Sequence, residues 1–314
     1  MTFGLATLRS GDAALIVGDH LVRLKDAGES RDVLSLLDDW ERALPRLQAI
    51  AVAAAAATAL EESLLAAPYV PRQIFCTGAN YRKHVIGLAM GDPSMRSPED
   101  AAQTDAQRLE RIERQMDERA KNPPYCFIKL PSCVVGPTDC VILPRNVTKP
   151  DWELELGVVI GRRARHVPAA QAMQHVAGFA VVNDLTAREQ IFRRDAGAIG
   201  ADWLSGKCFP TFLPFGPVLV PRQFVPDPYA LTIRLAVNGR VFQDESTRDM
   251  LIGIEQQVAY LSDRVQLQPG DLICTGSPYG NGAAFGVFLK PGDVIEGSIT
   301  GLGRQRNVCV AESD

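Results

Sequence analysis

Histidine is scarce in this chain: four among 314 residues. A mechanism that needs a base near neutral pH has few places to put one. No CxxC pair occurs, although seven cysteines are scattered at positions 76, 126, 133, 140, 208, 274 and 309. Their odd number and irregular spacing argue against a zinc site or a disulfide framework, and reduced thiols in a cytoplasmic protein are the expectation. Long apolar runs are missing too. The longest, Ala49 to Leu60, is mostly alanine and too short to span a bilayer. Met1-Thr2-Phe3-Gly4 lacks the basic start and apolar core of a signal peptide. No dense Lys/Arg patch with interleaved aromatics is found, and the net charge is -4 with a pI near 5.7. Nucleic acid and membrane are therefore not expected as partners.

What is present is apolar bulk. A hydrophobic content of 46% over this length can bury one large core beside a smaller one. Residues 2 to 24 look like short strands with turns at Ser10-Gly11-Asp12 and Gly18-Asp19. Ser30 can cap a helix through about Ala43, and Pro45 can open a second one through the alanine stretch. Pro68 to Pro71 looks like a linker, so a small N-terminal α/β domain is expected over 1–68 and a larger domain over 69–314. From Ile74 onward short Val/Ile/Phe-rich strands alternate with Gly/Pro turns, among them 126–130, 140–143, 153–161, 178–182, 216–220, 231–237, 271–274 and 293–298. Helical patterns are fewer, notably 169–175 and 249–262. The expected fold class is α+β and strand-rich, a mixed β-roll or sandwich rather than a doubly wound sheet.

A helical insertion is expected at about 91–123. Its charged part, Ser97 to Asn122, has a cap at Ser97-Pro98-Glu99-Asp100 and an apolar stripe of Leu109, Ile112 and Met116. It reads equally as a solvated helix resting on the domain, or as an active-site lid or an arm gripping a second subunit.

The most telling stretch is Asp151-Trp152-Glu153-Leu154-Glu155-Leu156-Gly157. Side chains two apart on a strand share a face, which sets Glu153 beside Glu155. Two such carboxylates on an apolar strand repel each other and resist desolvation, a conflict that a hard divalent cation removes. An edge strand with its acidic face in water reads the same way. Asp184, at the end of an apolar strand, is the best third ligand. An all-carboxylate set suits Mg²⁺ or Mn²⁺, with Ca²⁺ also able to fit, and disfavours zinc. His84 follows a turn-like segment, Gly78 to Lys83, and is either a general base or a structural histidine. Lys207 and Arg188 are either anion or enolate partners or snorkelling surface cations. Thr275-Gly276 opens a tight loop whose amides or hydroxyl could bind an anion.

Taken in order, several pieces resemble the fumarylacetoacetate hydrolase family over about residues 69 to 310. They are Asn80-Tyr81-x-x-His84, Lys129-x-Pro131-Ser132, Asp151-Trp152-Glu153-x-Glu155, Asn183-Asp184-x-Thr186-Ala187-Arg188, Gly206-Lys207-x-Phe209, Asn238-Gly239 with Gln243, and Thr275-Gly276-x-Pro278. The resemblance implies a β-roll catalytic domain, usually homodimeric, with Mg²⁺ or Mn²⁺ held by Glu153, Glu155 and Asp184. It places Lys207, Arg188 and Thr275 at substrate-contacting positions. It implies a 2-oxo acid substrate and a reaction that is hydrolytic C–C cleavage, decarboxylation or isomerisation. The leading expectation is hydrolysis of a C–C bond in a 2,4-dioxo acid of acylpyruvate type, through an enolate, in aromatic-compound or sugar-acid breakdown. Decarboxylation or enol–keto tautomerisation on the same site is the alternative.

Three departures bear on that choice. Many relatives place a glutamate three residues after the histidine, where this chain has Gly87; Asp92 or Glu99 are the acids nearest in sequence that could replace it. The loop after Pro278 reads Tyr279-Gly280-Asn281-Gly282-Ala283 instead of the commoner Gly-Val-Gly ending. The 97–122 insertion is longer than in compact relatives, which implies a different lid and substrate tail.

Overall fold

The computed structural model describes the chain except residues 54–57, 92–99, 101–102, 194, 196, 198–199 and 314. Its centre is a six-stranded mixed sheet. In spatial order the strands are Val220–Pro221, Val176–Asn183, Leu154–Ile160, Leu272–Cys274, Ile74–Thr77 and Cys126–Lys129. The acidic segment therefore lies inside the sheet. Leu154–Ile160 pairs antiparallel with Val176–Asn183 on one side and Leu272–Cys274 on the other, and all seven of its residues are buried. That placement rules out the water-facing edge strand.

A second sheet of five strands stacks on one face of the first. It comprises Arg240–Ser246, Thr232–Val237, Val294–Ile299, Gly303–Ala311 and Val141–Leu143. The alternation of the strand decides what each face meets. Leu154, Leu156, Val158 and Ile160 point into the space between the sheets, in one core with Ile233, Leu235, Ile295 and Ile299. A methyl at Gly297 would lie 2.6 Å from Leu154 Cδ1, which shows how closely the sheets approach there. The architecture is α+β and strand-rich, as the sequence predicts.

The opposite face carries Glu153, Glu155, Gly157 and Val159. Its far end is covered by the N-terminal residues, which form a four-stranded antiparallel sheet and the helices Val33–Asp38 and Trp40–Ala53. Val159, Ala180, Val182 and Leu272 share a core with Leu5, Leu15, Leu36, Leu37 and Leu47. The change of texture near Pro68 is thus not a break in the core. Three local expectations are corrected here. Asp32, not Ser30, caps the first helix, accepting from Ser35 N at 2.7 Å. Pro45 lies inside the second helix, which buried Trp40, Ala43, Leu47 and Ala51 hold in place despite the missing N–H. The expected strand at 216–220 shortens to Val220–Pro221, since Pro217 has no N–H for a ladder.

His84 lies in the first turn of a helix, Arg82–Gly91, which follows the turn at Gly78-Ala79 and takes in the end of the expected turn-like segment. The insertion supplies a second helix, Asp105–Arg119, with a capping box between Thr104 and Gln107. The expected cap at Ser97 and the acids Asp92 and Glu99 fall outside the described residues. Ile112 and Met116 are buried as expected, but Leu109 is 36% exposed and Arg108 takes its place underneath. Arg108 donates to the carbonyls of Ala89 and Met90 and so caps the C-terminus of the His84 helix. The described part of the insertion is a brace along that helix. Among the described residues no helix is long and apolar enough to cross a membrane.

Candidate metal centre and active site

Glu153 precedes the central strand and Glu155 lies on it, while Asp184 follows the end of its neighbour. The antiparallel register, with Leu154 opposite Asn183 and Glu155 opposite Val182, brings Asp184 to the same end of the sheet. One carboxylate oxygen from each of Glu153, Glu155 and Asp184 lies within 4.8 Å of the others, and all three residues are buried. An all-oxygen set at this spacing is compatible with a hard divalent cation.

Basic groups surround the triad. Lys207 Nζ donates to Asp184 Oδ2 at 2.5 Å, Glu153 Oε1 at 3.2 Å and Asp184 O at 3.1 Å. Lys129 Nζ reaches Asp184 Oδ1 at 2.5 Å and Leu185 O at 2.8 Å. Arg188 pairs with Asp151 through Nε at 2.7 Å and with Glu153 through Nη2 at 2.8 Å, and its side chain keeps 23% of its surface exposed. Neither lysine snorkels: each is 2% exposed.

Electrostatics separates the two glutamates. Burial alone would raise the Glu153 carboxyl, but the fields of Arg188 and Lys207 outweigh it and hold the group below the ordinary range. Glu155 is pushed well up, first by burial and then by the Asp184 carboxylate. Its carboxylate accepts a hydrogen bond from Gly276 N at 2.7 Å, and no cationic side chain pairs with it among the described residues. Asp151, Glu153, Glu155 and Asp184 face Lys129, Lys207 and Arg188, so four carboxylates meet three cations. With all four carboxylates ionised, a bound divalent cation would turn the net charge of the set positive, the sign a substrate carboxylate needs.

His84 is 6% exposed. Burial pulls its imidazole down to about 4, with Glu153 opposing and Arg188 and Lys207 assisting, so it feels the whole cluster. Its Nδ1 is buried and has no hydrogen-bond partner among the described residues. Gly87, three residues on, offers no acid, and the space above it is filled by Tyr279: a methyl there would lie 2.6 Å from Tyr279 Cε2.

Thr275 and Gly276 sit beside the triad with their donors already used. Thr275 donates to Leu156 O through N at 3.1 Å and Oγ1 at 2.9 Å, while Gly276 N serves Glu155. The geometry makes them a brace for the acidic strand. Gly276 has φ +102, and a methyl there would lie 2.8 Å from Asn80 Cβ.

Several contributors carry no role in the sequence reading. Asp151 accepts from Gly282 N, Ala283 N and Arg188 Nε, tying the 280s loop to the strand. Thr186 Oγ1 donates to Glu153 Oε1 at 2.7 Å. Gln243 Oε1 accepts from Leu154 N, and its Nε2 donates to Ser277 Oγ. Lys129, Asp151, Thr186 and Gln243 all stand in the recognised motifs, which was the available signal. The remaining histidines lie apart: His20 is exposed at a hairpin, His166 pairs with Asp263 at 3.0 Å, and His175 contacts Arg163 O at 2.9 Å.

The profile of the fumarylacetoacetate (FAA) hydrolase C-terminal domain matches residues 73–310. The chain belongs to the fumarylacetoacetate hydrolase family. It is 45% identical over 182 residues to human oxaloacetate tautomerase FAHD2B, mitochondrial, a match covering 57% of either chain. It thus spans less than two thirds of that relative's length. Bovine oxaloacetate tautomerase FAHD2A, mitochondrial, is 37% identical over 245 residues, covering 77% of this chain and 68% of that one. Among solved structures, a putative HpcE protein from Mycobacterium smegmatis superposes with TM-score 0.76 at 31% identity, covering 98% of this chain and 99% of the other. Maleylpyruvate hydrolase from Sphingobium sp. SYK-6, in complex with manganese(II) and pyruvate, gives 0.74 at 25% over the full length of both. Members of the family are hydrolases, isomerases and tautomerases acting on oxo acids.

Proposed function

We propose that this protein is a divalent-metal-dependent enzyme that moves a proton on a 2-oxo acid, an enol–keto tautomerase or isomerase. The observation that carries the reading is the state of His84: buried, neutral at physiological pH, and with no acid on Nδ1 among the described residues. A base that activates water for attack on carbon benefits from a partner that fixes its tautomer and stabilises its charged form. His84 has none among the described residues. An imidazole with an unfixed tautomer suits a group that accepts a proton and returns it. The sequence reading favoured C–C hydrolysis; this geometry favours its alternative, and the curated relatives named as oxaloacetate tautomerases support the same choice.

Glu153, Glu155 and Asp184 would hold Mg²⁺ or Mn²⁺. When bound, the cation supplies Lewis acidity at the oxygens of the oxo acid. Lys207, kept charged because Asp184 and Glu153 outweigh its burial, faces negative charge developing on the 2-oxygen. Arg188 offers its exposed edge to the substrate carboxylate. His84 takes the C3 proton, the C–H electron pair becomes the C2=C3 bond, and a proton is returned to the 2-oxygen. The substrate's composition is unchanged. The manganese and pyruvate of the structurally similar maleylpyruvate hydrolase support a second reading, hydrolysis of an acylpyruvate.

One assay decides between them. With Mg²⁺ or Mn²⁺, the purified protein should speed enol–keto equilibration of a 2-oxo diacid such as oxaloacetate, followed by the enol absorbance, and release no pyruvate from acylpyruvates. Pyruvate release that His84→Ala abolishes, with no effect on equilibration, would reverse the assignment.

A further inference from the structure

On a helix, the side chains able to reach residue 84 from its own face come from positions three and four away. Position 87 is one of these, and here it is bare backbone. The ring of Tyr279 lies on that backbone, with Cε2 at 2.6 Å and Cδ2 at 2.8 Å from where a Cβ would stand. Two departures that look unrelated in sequence, Gly87 and the Tyr279 loop, are therefore one spatial feature.

The ring is held there by a built loop. Gln243 Nε2 donates to Ser277 Oγ at 3.0 Å and Pro278 O at 3.3 Å, just before Tyr279. Trp152 Nε1 donates to Gly280 O at 2.9 Å, just after it. Gly280 has φ +115, and a methyl there would collide with Phe242 O. Phe285 meets the Tyr279 ring edge-on at 5.9 Å. Asp151 fixes the intervening turn through Gly282 N and Ala283 N. The same loop starts at Gly276, whose N–H holds Glu155. The position of Tyr279 is thus coupled to the carboxylate triad.

We propose that Tyr279 is the specificity-determining residue of this site. Its ring occupies the volume beside His84 from which a side chain at position 87 would orient an attacking water. This inference rests on the proton-transfer reading above and names the residue that enforces it. It implies that position 87 accepts a side chain only when the ring is gone.

The test compares wild type, Gly87→Glu, Tyr279→Ala and the Gly87→Glu/Tyr279→Ala double variant, with Gly87→Ala, alone and in the Tyr279→Ala background, as a minimal steric probe. Alanine has the higher helix propensity, so without a clash Gly87→Ala would raise the melting temperature. Against the ring it should lower it, and in a Tyr279→Ala background the sign should revert. Gly87→Glu alone should lose both stability and turnover. The double variant should recover the wild-type melting temperature and release pyruvate from acylpyruvates at least tenfold faster than wild type. That new activity should fall as the introduced carboxyl is protonated. A Gly87→Ala protein more stable than wild type would overturn the packing. A stable double variant with unchanged pyruvate release would overturn the role in specificity. Failure of the underlying reading would show separately, as absence of enol–keto turnover in the wild-type protein.

Discussion

Lys207 and His84 are buried side chains with opposite burdens. Lys207 is ringed by carboxylates and stays charged, so Lys207→Met removes the ammonium proposed to face the developing oxyanion while leaving the triad. Losing one such donor costs about 10²–10³ in rate. The expected result is a kcat/KM lower by about that factor with cation binding retained, measured by turnover and by titration with Mn²⁺. His84 is held neutral, and its pKa of about 4 lies below the unfolded value. Between that value and about 6.5 the unfolded chain binds more protons than the folded one, so stability rises with pH across this window. The contribution is full above pH ~6.5 and lost as pH falls toward 4, on the order of 3 kcal/mol. His84→Gln should flatten this part of the urea-unfolding profile, and an unchanged profile would show that the imidazole is not the group responsible.

Elements differ in how plainly the sequence announces them. The alternation of acid and leucine over 153–156 marks a strand because side-chain period and burial coincide there. Its interior position is not legible, because neighbours in a sheet are set by distant pairing. The helix Arg82–Gly91 sets Val85, Gly87 and Gly91, poor helix formers, among good ones, so its local signal is weak. Tertiary packing supplies what propensity lacks. Arg111 pairs with Asp100 and Arg82 with Asp117, while Arg108 caps the last carbonyls of the helix. The strands Arg240–Ser246 and Gly303–Ala311 were likewise hidden by their exposed charged residues. Since the brace helix holds the His84 helix through that cap, Arg108→Ala should cost about 1–2 kcal/mol. It should also speed amide exchange over 85–91 more than anywhere in the sheets. Uniform acceleration across the chain would mean that the cap carries no local weight.

At the scale of the whole molecule, one sheet face serves two purposes. The end bearing Glu153, Glu155 and Asp184 forms the polar site, while the end bearing Val159 and Ala180 is the floor on which the N-terminal sheet and helices pack. Trp40 reaches Gly161 at the close of the same strand, where a methyl would lie 3.0 Å from its Cδ1. The composition shift near Pro68 suggests a separate domain, yet the shared core makes both parts depend on one set of strands. A ligand that binds only the folded state stabilises every segment whose opening destroys the site. At 100 times its dissociation constant that amounts to about 2.7 kcal/mol. Saturating Mg²⁺ or Mn²⁺ should therefore slow amide exchange in Gly4–Thr7 and Ala13–Val17 by the same factor as in Leu154–Ile160, and Asp184→Asn should abolish the effect in all three. Protection confined to the central sheet would show that residues 1–68 unfold on their own. It would mean that the core crossing Pro68 joins two units without making them one.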